Sequence, residues 1–189
     1  MNKTIKIIIA TILGIILFTG VVGLMLFQPY RVSGYSMMPT LTKGDMVVLF
    51  RHPINFNYGD IVIYPGANKV KLMGRVFGLP GDNIAVRDDI IFVNGIEFKS
   101  ELIGEYSQIV DVHDKGGIKQ IKYTANKYLE NMPGVVSYNT IKAGKKLFNM
   151  EYTVPNGRVF IIGDNHDTLV DSMYYGMAHQ IMVRKVVLK

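Results

Sequence analysis

The stretch Ser33-Gly34-Tyr35-Ser36-Met37-Met38-Pro39-Thr40-Leu41 stands just past a long apolar run at the start of the chain. Proline fixes φ and offers no N–H, so a run containing Pro39 is poor helix material. It reads as an extended turn that presents the Ser36 hydroxyl. Upstream, Ile7–Phe27 gives 21 residues without a charge, preceded by Lys3 and Lys6. At ~1.5 Å per residue such a helix spans roughly 30 Å, the thickness of a bilayer core. A cleavable secretory signal would have a shorter apolar region, ~7–15 residues, and small residues at its cleavage point. The exit here is Phe27-Gln28-Pro29-Tyr30-Arg31, which has no such site. The expectation is a retained single-pass anchor over residues 7–28 in the cell membrane. Lys3 and Lys6 place residues 1–6 in the cytoplasm. Residues 29–189 then form one extracellular domain, with Ser36 close to the bilayer surface.

Composition narrows the chemistry. The chain of 189 residues is 49% apolar, which supports a real core, and it has no cysteine. Disulfides, thiolate metal sites and a cysteine nucleophile are therefore excluded. The four histidines, His52, His113, His166 and His179, show no metal-ligand spacing, so neither a metal nor another cofactor is expected. The net charge of +6 is scattered, without an aromatic-interleaved basic stripe, which argues against nucleic acid as a partner. Attraction to anionic lipid head groups fits such a balance.

Downstream of the turn, Asp45–Phe50 and Asp60–Tyr64 are short, β-branched apolar runs bounded by turn residues, hence strands. Val70–Phe77 continues the pattern and ends at Gly78-Leu79-Pro80-Gly81-Asp82, where Pro80-Gly81 suits the centre of a type II turn. Ile84–Val86 and Ile90–Val93 follow, and Asn94-Gly95 signals a two-residue hairpin before Ile96–Phe98. Arg158–Ile162 and Met182–Leu188 complete the set. Many short strands at close spacing predict an all-β core of Greek-key or barrel type. Periodicity is loose from about 100 to 157, which reads as an insertion or β-rich subdomain.

Taken with four other segments, the Ser36 stretch resembles the nucleophile box of the type I signal peptidases, membrane serine proteases that use a Ser/Lys pair. The segments are the anchor, Gly59-Asp60-Ile61-Val62, Arg75-Val76-Phe77-Gly78-Leu79-Pro80-Gly81-Asp82, and Gly163-Asp164-Asn165 through Asp171-Ser172 to Gly176. A lone G-D pair is common at turns; the order of all five segments is specific. The resemblance implies the all-β signal peptidase fold with one N-terminal transmembrane helix. It also implies a peptide cleft around Ser36 and Gly74. Gly34, Tyr35, Met37, Met38, Pro39 and Phe77 are then expected to contact the peptide. Arg75, Asp164, Asp171, Ser172 and Leu169 occupy supporting positions.

The same resemblance exposes a gap. A serine hydroxyl is weak until a neighbouring base takes its proton. The family's base is a buried, neutral lysine directly before the arginine of the R-V-x-G-L-P-G-D segment. Here that position is Gly74. The hydroxyl residue that partners the lysine in the family is replaced by Leu169, and the arginines usual after G-D-N and D-S are replaced by His166 and Met173. Lys71 falls on the opposite strand face from residue 74, unless a bulge at Gly74 shifts the parity. His166 reads as a partly exposed loop residue. A positioned base contributes ~10²–10⁴-fold to rate. The expectation is therefore a protein that binds exported, preprotein or pilin peptides with little or no proteolysis. It is most similar to the pilus-associated, signal-peptidase-like proteins of Gram-positive bacteria, with a pilus sortase as a further partner. The alternative is an active type I signal peptidase that cuts signal peptides through Ser36 with Lys71 or His166 as a displaced base.

Overall fold

The computed structural model describes residues 2–66, 70–114, 117–132, 136–144, 147, 149–167 and 177–188. Its first element is a 24-residue helix, α1 (Lys3–Leu26), with no buried residue. The helix is long and apolar enough to cross a membrane. A helix suits that solvent because its backbone groups are satisfied internally. Thr11 and Thr19 add to this by donating their hydroxyls to Ile7 O and Ile15 O, at 3.0 and 2.9 Å.

The helix passes directly into strand β1 (Phe27–Arg31), which pairs antiparallel with β2 (Met46–Phe50). The Phe27-Gln28-Pro29-Tyr30-Arg31 exit is thus a strand, though proline cannot donate a ladder hydrogen bond. β1 tolerates Pro29 because it is an edge strand, first in a seven-stranded sheet of order β1-β2-β14-β3-β4-β12-β13. The other members are β3 (Ile61–Pro65), β4 (Lys71–Gly78), β12 (Arg158–Ile162), β13 (Ala178–His179) and β14 (Arg184–Leu188). The expected strand from Met182 starts later, because Gln180–Met182 form a short 3-10 turn.

β5 (Asn83–Arg87), β6 (Ile90–Val93), β7 (Ile96–Glu97) and β11 (Met150–Thr153) make a four-stranded sheet. The Leu79–Asp82 turn closes with an Asp82 N–H bond to Leu79 O at 3.0 Å, with Gly81 at φ 93°. Asn94 and Gly95, at φ 54° and 77°, turn the β6–β7 hairpin as their dipeptide predicts. The third sheet comes from the stretch with loose periodicity. There β8 (Lys99–Asp114) and β9 (Gly117–Met132) form a long hairpin, with β10 (Val136–Lys142) beside β9. Met38, Val110, Ala125 and Ile141 form one buried cluster, which clamps the Ser36 turn against this hairpin.

Candidate functional site

Three elements converge on Ser36. Its carbonyl accepts the Asn165 N–H at 2.9 Å, and the Asn165 side-chain amide donates to Tyr35 O at 3.2 Å. Gly163 lies so close that a Cβ there would stand 2.6 Å from Ser36 O. Glycine is needed at 163 for this approach of two backbones. The Ser36 hydroxyl donates to Met73 O at 3.0 Å, and among the described residues no basic side chain hydrogen-bonds it. The serine is held in place by backbone contacts, and its described hydroxyl partner is a backbone carbonyl.

Gly74 is adjacent in β4. A Cβ built on it meets Ile161 Cγ2 at 2.5 Å and Ile162 O at 3.1 Å. Its φ lies outside the left-handed region, so glycine stands here for space and not for backbone freedom. Residue 74 faces the buried cluster of Val62, Tyr64, Leu72, Val76 and Ile161. The room a lysine stem would need is already filled by packed core.

A bulge at Gly74, which would have brought Lys71 round, is not where the irregularity lies. β3 and β4 pair without a shift from Ile61↔Arg75 to Pro65↔Lys71. The shift falls between β4 and β12, where Val76 pairs with Ile161 and Gly78 with Phe160, leaving Phe77 as the extra residue. Lys71 is exposed, with Nζ 5.7 Å from the Tyr30 ring centre. It nevertheless lines, with Ser36, Tyr30, Val70 and Met73, a groove of about 340 Å³.

Arg75 organises the opposite face of β4. Its Nε and Nη2 donate to the two Asp164 carboxylate oxygens at 2.8 and 2.6 Å, and Nη1 donates to Gly59 O at 2.8 Å. Thr40 donates its hydroxyl to the same carboxylate at 2.5 Å, and the Tyr138 ring centre lies 4.3 Å from the guanidinium carbon. Asp164 is fully buried. Burial pushes its carboxyl above the ordinary range, opposed by the Arg75 hydrogen bonds and charge. This buried fork ties the G-D-N segment, the Ser36 turn and β4 together. It gives Asp164 an arginine partner from β4; Asp171, whose local partner is the one missing from the sequence, lies outside the described residues.

His166 is not a partly exposed loop residue. It is 2% exposed, and among the described residues neither ring nitrogen has a hydrogen-bond partner. Burial, with a smaller contribution from the Lys142 charge, lowers its pKa to about 3. The ring lines a different cavity from Ser36, one shared with Tyr128 and Lys142. His166 is absent from the lining of the Ser36 groove.

Of the peptide contacts expected, Gly34 is exposed, while Tyr35 and Pro39 are half-buried. Met37 and Met38 are each 1% exposed and Phe77 is buried, so all three are core side chains in the structure. Met37 packs with Val32 and Leu41, Met38 with Val110 and Ile141, and Phe77 with Ile84 and Phe160, and this burial hides them from a peptide. Leu169, Asp171 and Ser172 lie outside the described residues. Thr40 and Tyr138, the fork's other partners, escaped sequence reasoning; Thr40 had a signal in its place within S-M-x-P-T, Tyr138 had none.

Comparison with known proteins gives the family. Residues 4–186 match the family described as signal peptidase, peptidase S26. A signal peptidase I of Bacillus caldolyticus is 29% identical over 158 residues, covering 81% of this chain and 72% of the relative. Signal peptidase I P of Bacillus subtilis subsp. natto is 32% identical over 151 residues, covering 78% and 66%. A signal peptidase I crystal structure from Enterococcus faecalis is 22% identical with a TM-score of 0.40, covering 70% of this chain and 97% of that one. This membrane-anchored chain belongs to the signal peptidase family, peptidase S26.

Proposed function

We propose that the chain binds an extended stretch of an exported protein in the groove beside Ser36 and cuts it little or not at all. The observation that carries this reading is the filled space at residue 74, where Ile161 Cγ2 and Ile162 O stand in the path of a base. The Ser36 hydroxyl keeps its proton and donates it in a hydrogen bond to Met73 O, and among the described residues no amine stands within hydrogen-bond reach to receive it. An extended peptide gains affinity from backbone hydrogen bonds and selectivity from shallow pockets for alternate side chains. The exposed Gly34 and the half-buried Tyr35 line the groove. With Lys3 and Lys6 in the cytoplasm, the groove faces the exported side of the membrane. Pilin segments as cargo, with a sortase as neighbour, rest on the altered residue 74 alone.

A second reading, cleavage of signal peptides through Ser36, draws on two observations. The matched relatives carry the name signal peptidase I, which favours cleavage over binding. Lys71 also lines the Ser36 groove. One experiment separates the readings: the full chain in detergent is given a preprotein, beside its Ser36→Ala variant, and both product and bound peptide are measured. Binding without product in both forms supports the first reading. Product that disappears in Ser36→Ala overturns it, and loss of that product in Lys71→Met would identify the displaced base.

A further inference from the structure

A second cavity, of about 360 Å³, opens beside β2, β3 and β14. Its apolar wall includes Leu49, Ile63, Ile181 and Met182, its cations are Lys71 and Arg184, and no acidic side chain lines it among the described residues. Ile181 is 83% exposed, and Met182 is also held out into solvent by the 3-10 turn. Large apolar side chains displayed next to unopposed cations call for a ligand that is greasy at one end and anionic at the other.

The fold places this cavity where such a ligand is abundant. The Arg51 N–H donates to the carbonyl of Leu26, the last residue of α1, at 2.9 Å. Arg184 Nη1 in turn donates to Arg51 O at 3.3 Å. Two hydrogen bonds thus tie the cavity's arginine to the point where the membrane helix ends. On the other side, Lys71 rests over Tyr30, four residues beyond that end. Ile54, on the loop that follows Arg51, is likewise almost fully exposed.

We infer that this cavity binds one anionic glycerophospholipid. Its phosphate lies between Arg184 and Lys71, and its first acyl carbons lie along Leu49, Ile63, Ile181 and Met182. Arginine offers a planar fork that matches a phosphate, while lysine adds a compact charge. A zwitterionic head group would bring its own cation beside two others, with no carboxylate in the lining to receive it. Charges at this height, within a Debye length of the bilayer surface, are felt strongly. The site stands whether or not Ser36 cuts anything. Because Lys71 also lines the Ser36 groove, a lipid held here fixes one side chain in that groove's wall.

The test uses the full chain in dodecyl maltoside micelles, with lipid adducts counted by native mass spectrometry. The probes are phosphatidylglycerol, phosphatidylcholine of the same acyl chains, and inorganic phosphate. The expected result is one retained phosphatidylglycerol, preferred over phosphatidylcholine by at least about fivefold, the factor that one cation near an anionic surface provides. Arg184→Ala should abolish the preference and Arg184→Lys should keep part of it. Ile181→Ser, at an exposed position that holds no other element, should weaken retention of the lipid without unfolding the protein. Equal retention of the two lipids would overturn the proposal. So would a preference unchanged in both Arg184→Ala and Lys71→Ala, which would put the lipid on the membrane helix instead. Inorganic phosphate displacing phosphatidylglycerol at equal concentration would also overturn it, by showing a phosphate site without a role for the acyl chains.

Discussion

Substituting Gly74 probes the centre of the functional reading. The Cβ of Gly74→Ala would sit 2.5 Å from Ile161 Cγ2, well inside the ~3.5–4.0 Å of a favourable carbon–carbon contact. Ile162 O, at 3.1 Å, belongs to the backbone of β12 and cannot swing aside. Overpacking of this kind costs about 1–3 kcal/mol, partly offset by roughly 0.4–1 kcal/mol from the stiffer unfolded chain. The net loss, near 1–2 kcal/mol, lowers the thermal midpoint by about 2–4 °C per kcal/mol in a chain of this size. Gly74→Lys loses more, since its ammonium stem enters the apolar cluster of Val62, Tyr64 and Ile161. Ile161→Ala removes the obstructing methyl, so the penalty of Gly74→Ala should shrink by about 1 kcal/mol in that background. Circular dichroism melts of the four forms in detergent measure the coupling, and preprotein cleavage gives the functional readout. Gly74→Lys alone should stay silent, with Ser36-dependent product appearing only when Ile161→Ala is added. Equal penalties in both backgrounds, or efficient cleavage by Gly74→Lys alone, would refute the argument that packed core has replaced the base.

Other consequences follow from the polar groups buried around the site. Asp164→Asn leaves the Arg75 guanidinium buried without its anion, which should cost about 3–5 kcal/mol. The double change Arg75→Met/Asp164→Leu should cost far less, and urea midpoints distinguish the two. For His166, the folded pKa of about 3 lies below the ordinary 6.5. The unfolded chain therefore binds a proton that the folded chain refuses between these values. Stability falls as pH drops through that window, by up to roughly 1.4 kcal/mol per pH unit, and this component is flat above 6.5. His166→Leu should remove the component without loss at neutral pH, because it deletes two polar atoms that have no partner among the described residues. A stability–pH slope unchanged in His166→Leu would refute this account.

What the sequence made legible was set by range. The type II turn at Pro80-Gly81, the Asn94-Gly95 hairpin and the strands flanking them depend on neighbouring residues, and they read correctly. Strand β1 was hidden because Pro29 forbids a central strand, and edge position is a property of the whole sheet. The long β8–β9 hairpin was hidden because many of its apolar side chains are exposed, which blurs the alternation that reveals a half-buried strand. At the site, the glycine at 74 was visible as a missing amine. Its structural meaning was not, because the atoms that fill its space come from β12, more than eighty residues away. His166 misread for a similar reason: a histidine after G-D-N looks like a loop residue until the packing of β10 over it is known.

The junction at Leu26–Phe27 has a mechanical corollary. With no linker between helix and sheet, and with the Arg51 N–H fastened to Leu26 O, the domain cannot swivel freely about its tether. The helix is a handle. Any tilt imposed by bilayer thickness or lateral pressure is passed as torque to β1, and through β2 and β14 to the strands that carry Ser36's neighbours. The direction of the groove is thereby coupled to the direction of α1, with no flexible spacer between them.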